Sequence, residues 1–419
     1  MLAGSAFAGQ VLVAAALPLL SRLYKPAEFG LATAFASVVG IVTIVASLRY
    51  EVAIPLPRDD GVAATVLVLS VVVVLSVAAL VGVGIALAGT TVLGWLNLMA
   101  LSPFMWILPL SVVGIGLYQT FTYWAVRKGQ FGSIARSRLS QSLTMVLAQC
   151  GLGLIGAGPL GLLIGDVLGR MSGVIALARA TWRNAGPRFA RVTARGVALV
   201  ARRYRRFPLL SSWAALLNSF GMGLPPLFLA AQYGPQVVGW FALGQKVLGA
   251  PLSVIAASVN QVYIADAAKA LHTDPERLRP LLGKALIGVA CVAVPYVVVV
   301  VLAGPTVFSF MFGAGWAEAG TYVRILAVMC LLEAMASATG GVLDVLERQD
   351  LHLAREITRV TLLSGAGLFA GLLHATPVRA LALISGAGSV AYIVYVALSI
   401  HALGAVRPST TLGDAGGQS

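Results

Sequence analysis

Hydrophobic residues run along the chain in long stretches that polar residues do not interrupt. Gly61–Val126 and Ala285–Ala317 contain no Asp, Glu, Lys or Arg. Because an apolar helix needs about 20 residues to cross the hydrocarbon core, the first stretch must hold two helices. The stretches also lack the alternation of a membrane β-barrel, and a segment in lipid must satisfy its own backbone hydrogen bonds. The pattern therefore predicts an all-α, polytopic membrane protein.

The same pattern over the whole chain predicts about twelve transmembrane helices. Their bounds are Leu2–Leu20, Phe29–Leu48, Val62–Leu87, Pro103–Val126, Leu139–Gly156, Leu160–Ala180, Pro208–Ala230, Val237–Tyr263, Ala285–Leu302, Thr321–Leu343, Val360–Leu373 and Ala380–Leu403. They suggest a six-helix N-terminal lobe at 1–181, a basic linker at 182–207, a six-helix C-terminal lobe at 208–404 and a flexible cytoplasmic tail at 405–419. Composition agrees, since 59% of residues are hydrophobic, 11% are charged and the mean hydropathy is +0.91.

The formal net charge of +14 is distributed unevenly between the even-numbered and the odd-numbered predicted loops. Of the 29 basic residues, 22 fall in the even-numbered predicted loops and the tail, three in odd-numbered loops and four within spans. This is the positive-inside pattern, which predicts that both termini lie in the cytoplasm. The linker carries eight arginines and no acid. We interpret it as a segment that lies on anionic lipid headgroups rather than as a nucleic-acid site.

Metal and cofactor chemistry have no support in the sequence. The three cysteines, Cys150, Cys291 and Cys330, lie in hydrophobic spans without paired spacing, and the four histidines form no cluster. We therefore expect neither a metal site nor a cofactor.

A weak internal repeat links the two halves of the chain. A shift of 209 residues aligns YKPAEFGLATAFASVVGIVTIV with YGPQVVGWFALGQKVLGAPLSV, and the six identities include the pairs Pro26 with Pro235 and Gly30 with Gly239. The shift maps the second span onto the eighth, so the copies have the same orientation. This arrangement predicts two lobes related by an axis along the membrane normal, as in transporters with parallel repeats.

The segment SRLYKPAEFGLATAFASVVGIVTIVASLRYEVAIPLP, together with FPLLSSWAALLNSFGMGLPPLFLAAQYGPQVVGWFALGQKVLGAPLSVIAASVNQVY, resembles bacterial polysaccharide-export flippases. These are the Wzx-type branch of the multidrug/oligosaccharidyl-lipid/polysaccharide (MOP) exporter superfamily. The resemblance implies a non-enzymatic inner-membrane protein that translocates a lipid-linked oligosaccharide, usually on undecaprenyl diphosphate, by alternating access. It also implies membrane lipids, a polysaccharide polymerase and glycosyltransferases as partners, and a cell-surface polymer such as O-antigen, lipopolysaccharide or exopolysaccharide as the destination.

Lys246 is the leading substrate-binding candidate. A lysine inside a span costs about 2.5–3.5 kcal/mol on insertion scales, and it is tolerated where water or an anion meets it. The resemblance supports this role, because an arginine occupies the corresponding position in the related lipid II flippases. Snorkelling of Lys246 toward the outer interface is the alternative explanation.

Other polar residues in or next to predicted spans have two interpretations each. Arg49 and Glu51 match the family motif and suggest a gate or a headgroup entry site, with an interfacial anchor as the alternative. Asp166 and Arg170 are four residues apart and can form an ion pair or contact substrate.

Three further polar residues complete the candidates. Asn218 and Gln261 can bind sugars or make interhelical hydrogen bonds. Glu333 is a candidate for proton or cation coupling, as intramembrane acids commonly are.

Two other functions stay open at this point. A cation-coupled small-molecule exporter of the same superfamily would favour acids that face its substrate. A membrane-embedded polysaccharide polymerase or ligase would need acid or base residues in a large outer loop, and the predicted outer loops are short.

Overall fold

The computed structural model of this protein describes residues 2–189, 192–205, 207, 212–346 and 348–404, and this part contains helices and no strand. The helices are α1 (Leu2–Leu23), α2 (Pro26–Thr43), α3 (Asp60–Trp95), α4 (Leu108–Arg127), α5 (Phe131–Leu154), α6 (Pro159–Phe189), α7 (Ala194–Arg203), α8 (Ser212–Tyr233), α9 (Pro235–Thr273), α10 (Leu278–Phe312), α11 (Ala317–Ala338), α12 (Gly341–Val345), α13 (Gln349–Leu372) and α14 (Pro377–Gly404). The predicted all-α class is confirmed for these residues. The predicted tail, at 405–419, lies outside them.

In the part of the chain that the structure describes, eight helical segments are long and apolar enough to cross a membrane by length and composition. The chain is therefore a multi-pass membrane protein. The described part also contains twelve helices of at least 18 residues, α7 and α12 being the short ones. Four of these twelve, α1, α5, α8 and α13, are not among the eight. The count of twelve spans stays a prediction.

Several predicted helix ends were wrong. α5 begins at Phe131 rather than Leu139, and α13 begins at Gln349 rather than Val360. The prediction ended each span at a charged residue, whereas the helices continue through arginines. α2 differs in the opposite sense, since it ends at Thr43 and turns and a short 3-10 helix follow it. Hydrophobicity alone places the apolar centre of a helix better than it places the ends.

α2 and α9 pack against each other with almost no space between their first turns. A Cβ atom on Gly30 would lie 1.6 Å from the carbonyl oxygen of Pro235, and one on Gly239 would lie 1.8 Å from the carbonyl oxygen of Pro26. The contact is reciprocal, because each glycine meets the proline that begins the other helix. Residues that match in the sequence repeat therefore form a close contact between the N-terminal and C-terminal halves.

The same region contains the largest buried cluster, which joins residues from both halves. Trp316, just before α11, donates its indole N–H to the carbonyl of Ser21 at 2.9 Å and packs edge to face on Phe29, with ring centroids 5.2 Å apart. Trp316 is almost fully buried. The two halves thus share one apolar core at the end of the molecule where α2 and α9 begin.

The predicted linker contains the end of α6 and the whole of α7. Val200 of α7 is buried in a cluster with residues of α3, and Tyr50 donates its hydroxyl to the carbonyl of Ala201 at 3.3 Å. Arg127 holds the loop that precedes α3, because it donates a hydrogen bond to the carbonyl of Pro57 at 2.6 Å and pairs with Asp60 at 3.0 Å. α7 is therefore docked on the N-terminal helices.

Candidate substrate cavity

A cavity of about 430 Å³ lies where three helices of the N-terminal half, α1, α4 and α5, face α9 of the C-terminal half. Its lining residues are Gly9, Gln10, Val13, Ala14, Leu17, Tyr118, Arg138, Gln141, Ser142, Lys246 and Ala250. The set combines two basic side chains with two amides, two hydroxyl groups and several small apolar residues. No acid is among them. The cavity is thus largely apolar, carries two positive charges and lies between the two halves.

Lys246 lines this cavity from α9, as the sequence predicted for a residue that meets water or an anion. Its side chain is exposed, although it sits in the middle of a long apolar helix. The ammonium nitrogen lies 5.7 Å from the centroid of the Phe29 ring, which is within cation–π distance. The carboxylate of Asp166 also interacts with it electrostatically. The role of Lys246 in substrate binding stays a prediction, and snorkelling toward the outer interface stays its alternative.

Arg138 is the second cation of the cavity, and sequence reasoning missed it. The residue was assigned to a cytoplasmic loop because the predicted span began at Leu139. In the structure α5 begins two turns earlier, so Arg138 belongs to the helix and faces the cavity with Gln141 and Ser142. A signal was present in the sequence, because Arg138, Gln141 and Ser142 have the three-to-four-residue spacing of one helix face.

Asp166 and Arg170 form the predicted ion pair on α6. The Arg170 Nε atom lies 2.7 Å from Oδ2 of Asp166, and each side chain keeps about a third of its surface exposed. The acid precedes the base by four residues, which is the favourable order along a helix. Because Asp166 also interacts with Lys246, the pair belongs to the electrostatic surroundings of the cavity.

A second cavity, of about 280 Å³, lies inside the C-terminal half and brings together two predicted residues, Asn218 of α8 and Glu333 of α11. Arg355 and Arg359 of α13 line it as well, with Tyr392 of α14. Neither arginine was predicted, since both were assigned to the loop before Val360. Their spacing of four residues was the available signal for a shared helix face.

The side chains of this second cavity bond mainly to one another. Arg359 pairs with Glu356 at 2.6 Å and donates to the side-chain oxygen of Asn218 at 2.9 Å. The Tyr392 hydroxyl hydrogen bonds to Glu333 and also interacts with Arg359. The carboxylate of Glu333 therefore lies within the electrostatic influence of the Arg359 guanidinium group. Asn218 bonds between helices here, which is the alternative that the sequence left open.

Arg49 and Glu51 lie outside both cavities, in the segment after α2. Arg49 has a backbone φ of 61°, and Leu48 before it has 48°, so two non-glycine residues adopt the left-handed conformation. Glu51 is only 2% exposed and accepts a hydrogen bond from the Ser47 hydroxyl. The carboxylate is thus bound locally and is closed to a headgroup in this conformation.

Gln261 lies on α9 with an exposed side chain and lines neither cavity. Its neighbour Asn260 instead accepts a hydrogen bond from the backbone N–H of Gly341, at 3.1 Å, and so caps α12. Among the described residues no group of three or more His, Cys, Asp or Glu side chains could hold a metal ion.

The family of the chain follows from a match over most of its length. The family model described as polysaccharide biosynthesis protein matches residues 19–321, which include both cations of the first cavity. The chain belongs to this family. No curated protein sequence gives a significant match.

Solved structures show that the fold is that of MOP superfamily transporters. An inward-facing multidrug resistance MATE family transporter is similar with a TM-score of 0.75 and 17% identity, covering 94% of this chain and 95% of that one. The lipid II flippase MurJ in an inward closed conformation gives 0.69 and 11%, covering 96% and 87%. A MOP superfamily transporter from Pyrococcus furiosus, described by the reverse polarity of its binding pocket, gives 0.62 and 16%, covering 96% of each chain. The resemblance to MOP-type flippases is therefore confirmed.

Proposed function

We propose that this polysaccharide biosynthesis protein translocates a lipid-linked oligosaccharide, on undecaprenyl diphosphate, from the cytoplasmic to the outer leaflet of the bacterial inner membrane. The observation that carries the proposal is the cavity between the two halves, which has Arg138 and Lys246 in its lining and no acid. Transport without chemical change to the cargo accords with the flippase and transporter folds that the chain resembles.

The two cations supply what an anionic cargo needs in this cavity. A diphosphate group or an acidic sugar must leave bulk water to pass between the halves, and opposite charges offset that desolvation. Arg138 and Lys246 come from opposite halves of the chain, on α5 and α9. A cargo phosphate that contacts both would link the two halves, and the amides Gln10 and Gln141 would hydrogen bond its sugar hydroxyls.

The proposed mechanism is alternating access by two six-helix lobes, α1–α6 and α8–α14 without the short α12. Twelve helices of 18 or more residues support twelve spans, and the reciprocal contact of Gly30 and Gly239 supports a pseudo-symmetric pair of lobes. The positive-inside pattern predicts that both termini lie in the cytoplasm. The contact between α2 and α9 then closes the outer side, so opening toward the periplasm requires these helices to part.

A cation-coupled small-molecule exporter is the second candidate, favoured by the MATE family structures and by Glu333. Two features oppose it. The charged residues that line the cavity between the halves are cations rather than acids, and the positive charge of Arg359 already interacts electrostatically with Glu333. The polarity argument parallels the one made for the Pyrococcus furiosus transporter, whose reverse pocket polarity suggests a different function. We therefore propose that this chain exports an anionic cargo for the synthesis of O-antigen, lipopolysaccharide or exopolysaccharide. We propose a polysaccharide polymerase and glycosyltransferases as its partners.

The decisive experiment measures export of the native surface polysaccharide in a deletion strain that carries each variant at equal protein level. A phosphate needs no fixed geometry from a point charge, so Lys246→Arg should retain export. Lys246→Gln and Arg138→Gln should reduce it, and Lys246→Glu should reduce it further because it repels the cargo. Lys269→Gln is the matched control, since Lys269 is exposed on the same helix and lines neither cavity.

Normal export by Lys246→Glu would remove the cavity from the mechanism. If the glutamine variants lose export while Lys269→Gln does not, the charge in the cavity is required. Efflux of organic cations by the wild type, with no polysaccharide defect in the deletion strain, would favour the second candidate instead.

A further inference from the structure

A separate basic groove lies on the N-terminal half, where the end of α6 meets the start of α5. Three arginines line it: Arg136 of α5 with Arg179 and Arg183 of α6. The space is about 710 Å³, and its floor includes the small residues Ala176 and Ala180. Arg179 and Arg183 are four residues apart and so lie on one face of their helix. Three positive side chains therefore converge on one open space.

These arginines are available to a ligand. All three side chains are exposed, and no Asp or Glu in the described part of the chain forms a salt bridge with them. Arg136 donates through Nε to the carbonyl of Gly132 at 3.3 Å, which leaves its two terminal nitrogens free of that bond. Like charges gathered without an acid repel one another, so an anion in the groove would stabilise it.

The groove is distinct from the substrate cavity, although the two lie close together along α5. Arg138 lines the cavity and Arg136 lines the groove. Residues two apart on a helix point about 200° apart, so these side chains serve opposite sides of α5. The groove accordingly needs an explanation of its own.

Apolar side chains continue from the groove along the outside of both helices. On α5 the exposed residues Leu139, Leu143 and Leu147 follow Arg136 at helical spacing, and Leu147 is 62% exposed. On α6 the exposed residues Ile175 and Leu168 precede Arg179 in the same way. The surface therefore has an apolar stripe of membrane-spanning character that ends in a cluster of cations.

Trp182 marks the level of the groove in the membrane. Its side chain is 68% exposed and lines the groove between Arg179 and Arg183. Tryptophan is enriched at the boundary between hydrocarbon and headgroups because its ring is apolar and its N–H is polar. This preference predicts that the arginines beside Trp182 lie at headgroup height, on the side for which the charge pattern predicts the cytoplasm.

We propose that this groove binds the phosphate headgroup of an anionic bilayer phospholipid, with the acyl chains along the apolar stripe of α5 and α6. The three arginines recognise the phosphate, and Leu139, Leu143, Leu147, Ile175 and Leu168 contact the tails. An amphiphile matches both parts of the surface, whereas a soluble phosphate would use only the arginines. The site goes beyond the proposed function, because it lies outside the cargo cavity.

The test is native mass spectrometry of the purified full chain, titrated with phosphatidylglycerol or phosphatidylcholine in neutral detergent. The groove variant is R136Q/R179Q/R183Q. The matched control is R202Q/R205Q/R279Q, which removes the same charge from exposed arginines outside the groove. Each lost arginine should weaken binding of one phosphatidylglycerol about fivefold, while the control and R136K/R179K/R183K should keep that lipid. The lysine variant also shows that the groove tolerates substitution without loss of folding.

Three results would overturn the proposal. Equal loss in the groove variant and the control would show general attraction of lipid to a basic surface. Displacement of the bound phosphatidylglycerol by a polyprenyl diphosphate at equal concentration would make the groove a cargo headgroup site. Equal binding of phosphatidylglycerol and phosphatidylcholine by the wild type would also overturn it, because the groove would then not select the anionic lipid. None of these outcomes depends on polysaccharide export, so the cavity proposal is tested separately.

Discussion

Replacing Gly239 with alanine tests the contact between α2 and α9. The added Cβ would lie 1.8 Å from the Pro26 carbonyl oxygen, and atoms at that contact prefer roughly 3.5 Å. The first turns of the two helices must therefore separate by roughly 1.7 Å. Overpacking of this kind costs about 1–3 kcal/mol. Gly30→Ala introduces the reciprocal clash, 1.6 Å from the Pro235 carbonyl oxygen, at the same crossing.

One separation of the helices relieves both clashes, so the two costs should not add. We expect Gly239→Ala and Gly30→Ala each to lower the melting temperature of the purified protein. The double variant should lose little more than the worse single variant, which corresponds to a coupling free energy of about one single cost. The assay is thermal unfolding in detergent, followed by intrinsic fluorescence at constant lipid content.

Gly249→Ala is the control, because it lies on the same helix and a Cβ there meets open space. Its melting temperature should stay at the wild-type value or rise, since alanine is the better helix former. If Gly239→Ala behaves like Gly249→Ala, the close approach of α2 and α9 is wrong. If the single costs add fully, the two glycines do not share one contact.

The remaining predictions concern the ion pair, the second cavity and the topology. Asp166→Ala or Arg170→Ala should lower the free energy of unfolding by about 1 kcal/mol, because both side chains are partly exposed. The double variant that swaps the two residues should recover part of this loss. If the swapped variant is abundant but inactive, and both single variants are abundant, the pair belongs to substrate binding instead. Glu333→Gln keeps a hydrogen-bond acceptor for the tyrosine hydroxyl and should leave export intact at equal protein level, whereas loss of export would assign it to coupling. Reporter fusions after Gly234 and Thr273 should lie in the periplasm and the cytoplasm respectively, and reversed signals would invert the lobes.

The sequence alone determined the class of the protein and the course of most helices. Apolar stretches of about 20 residues have few structures available in lipid, so composition and length were sufficient. Lys246 was also found from the sequence, because a charge within an apolar helix is costly and needs a reason. The glycine and proline repeat indicated two related segments, although not that they touch.

The tertiary structure decided which charged residues near the helix ends face a cavity. The local sequence around Arg138 and Arg359 does not distinguish them from arginines in loops. Only the packing shows that each belongs to a helix and faces a cavity. Asn218 and Glu333 are far apart in sequence, so their meeting depends on how α8 and α11 pack. Hydrophobicity reports the cost of leaving water, residue by residue. It does not report which polar faces are turned toward one another, because that choice is made by contacts between distant helices.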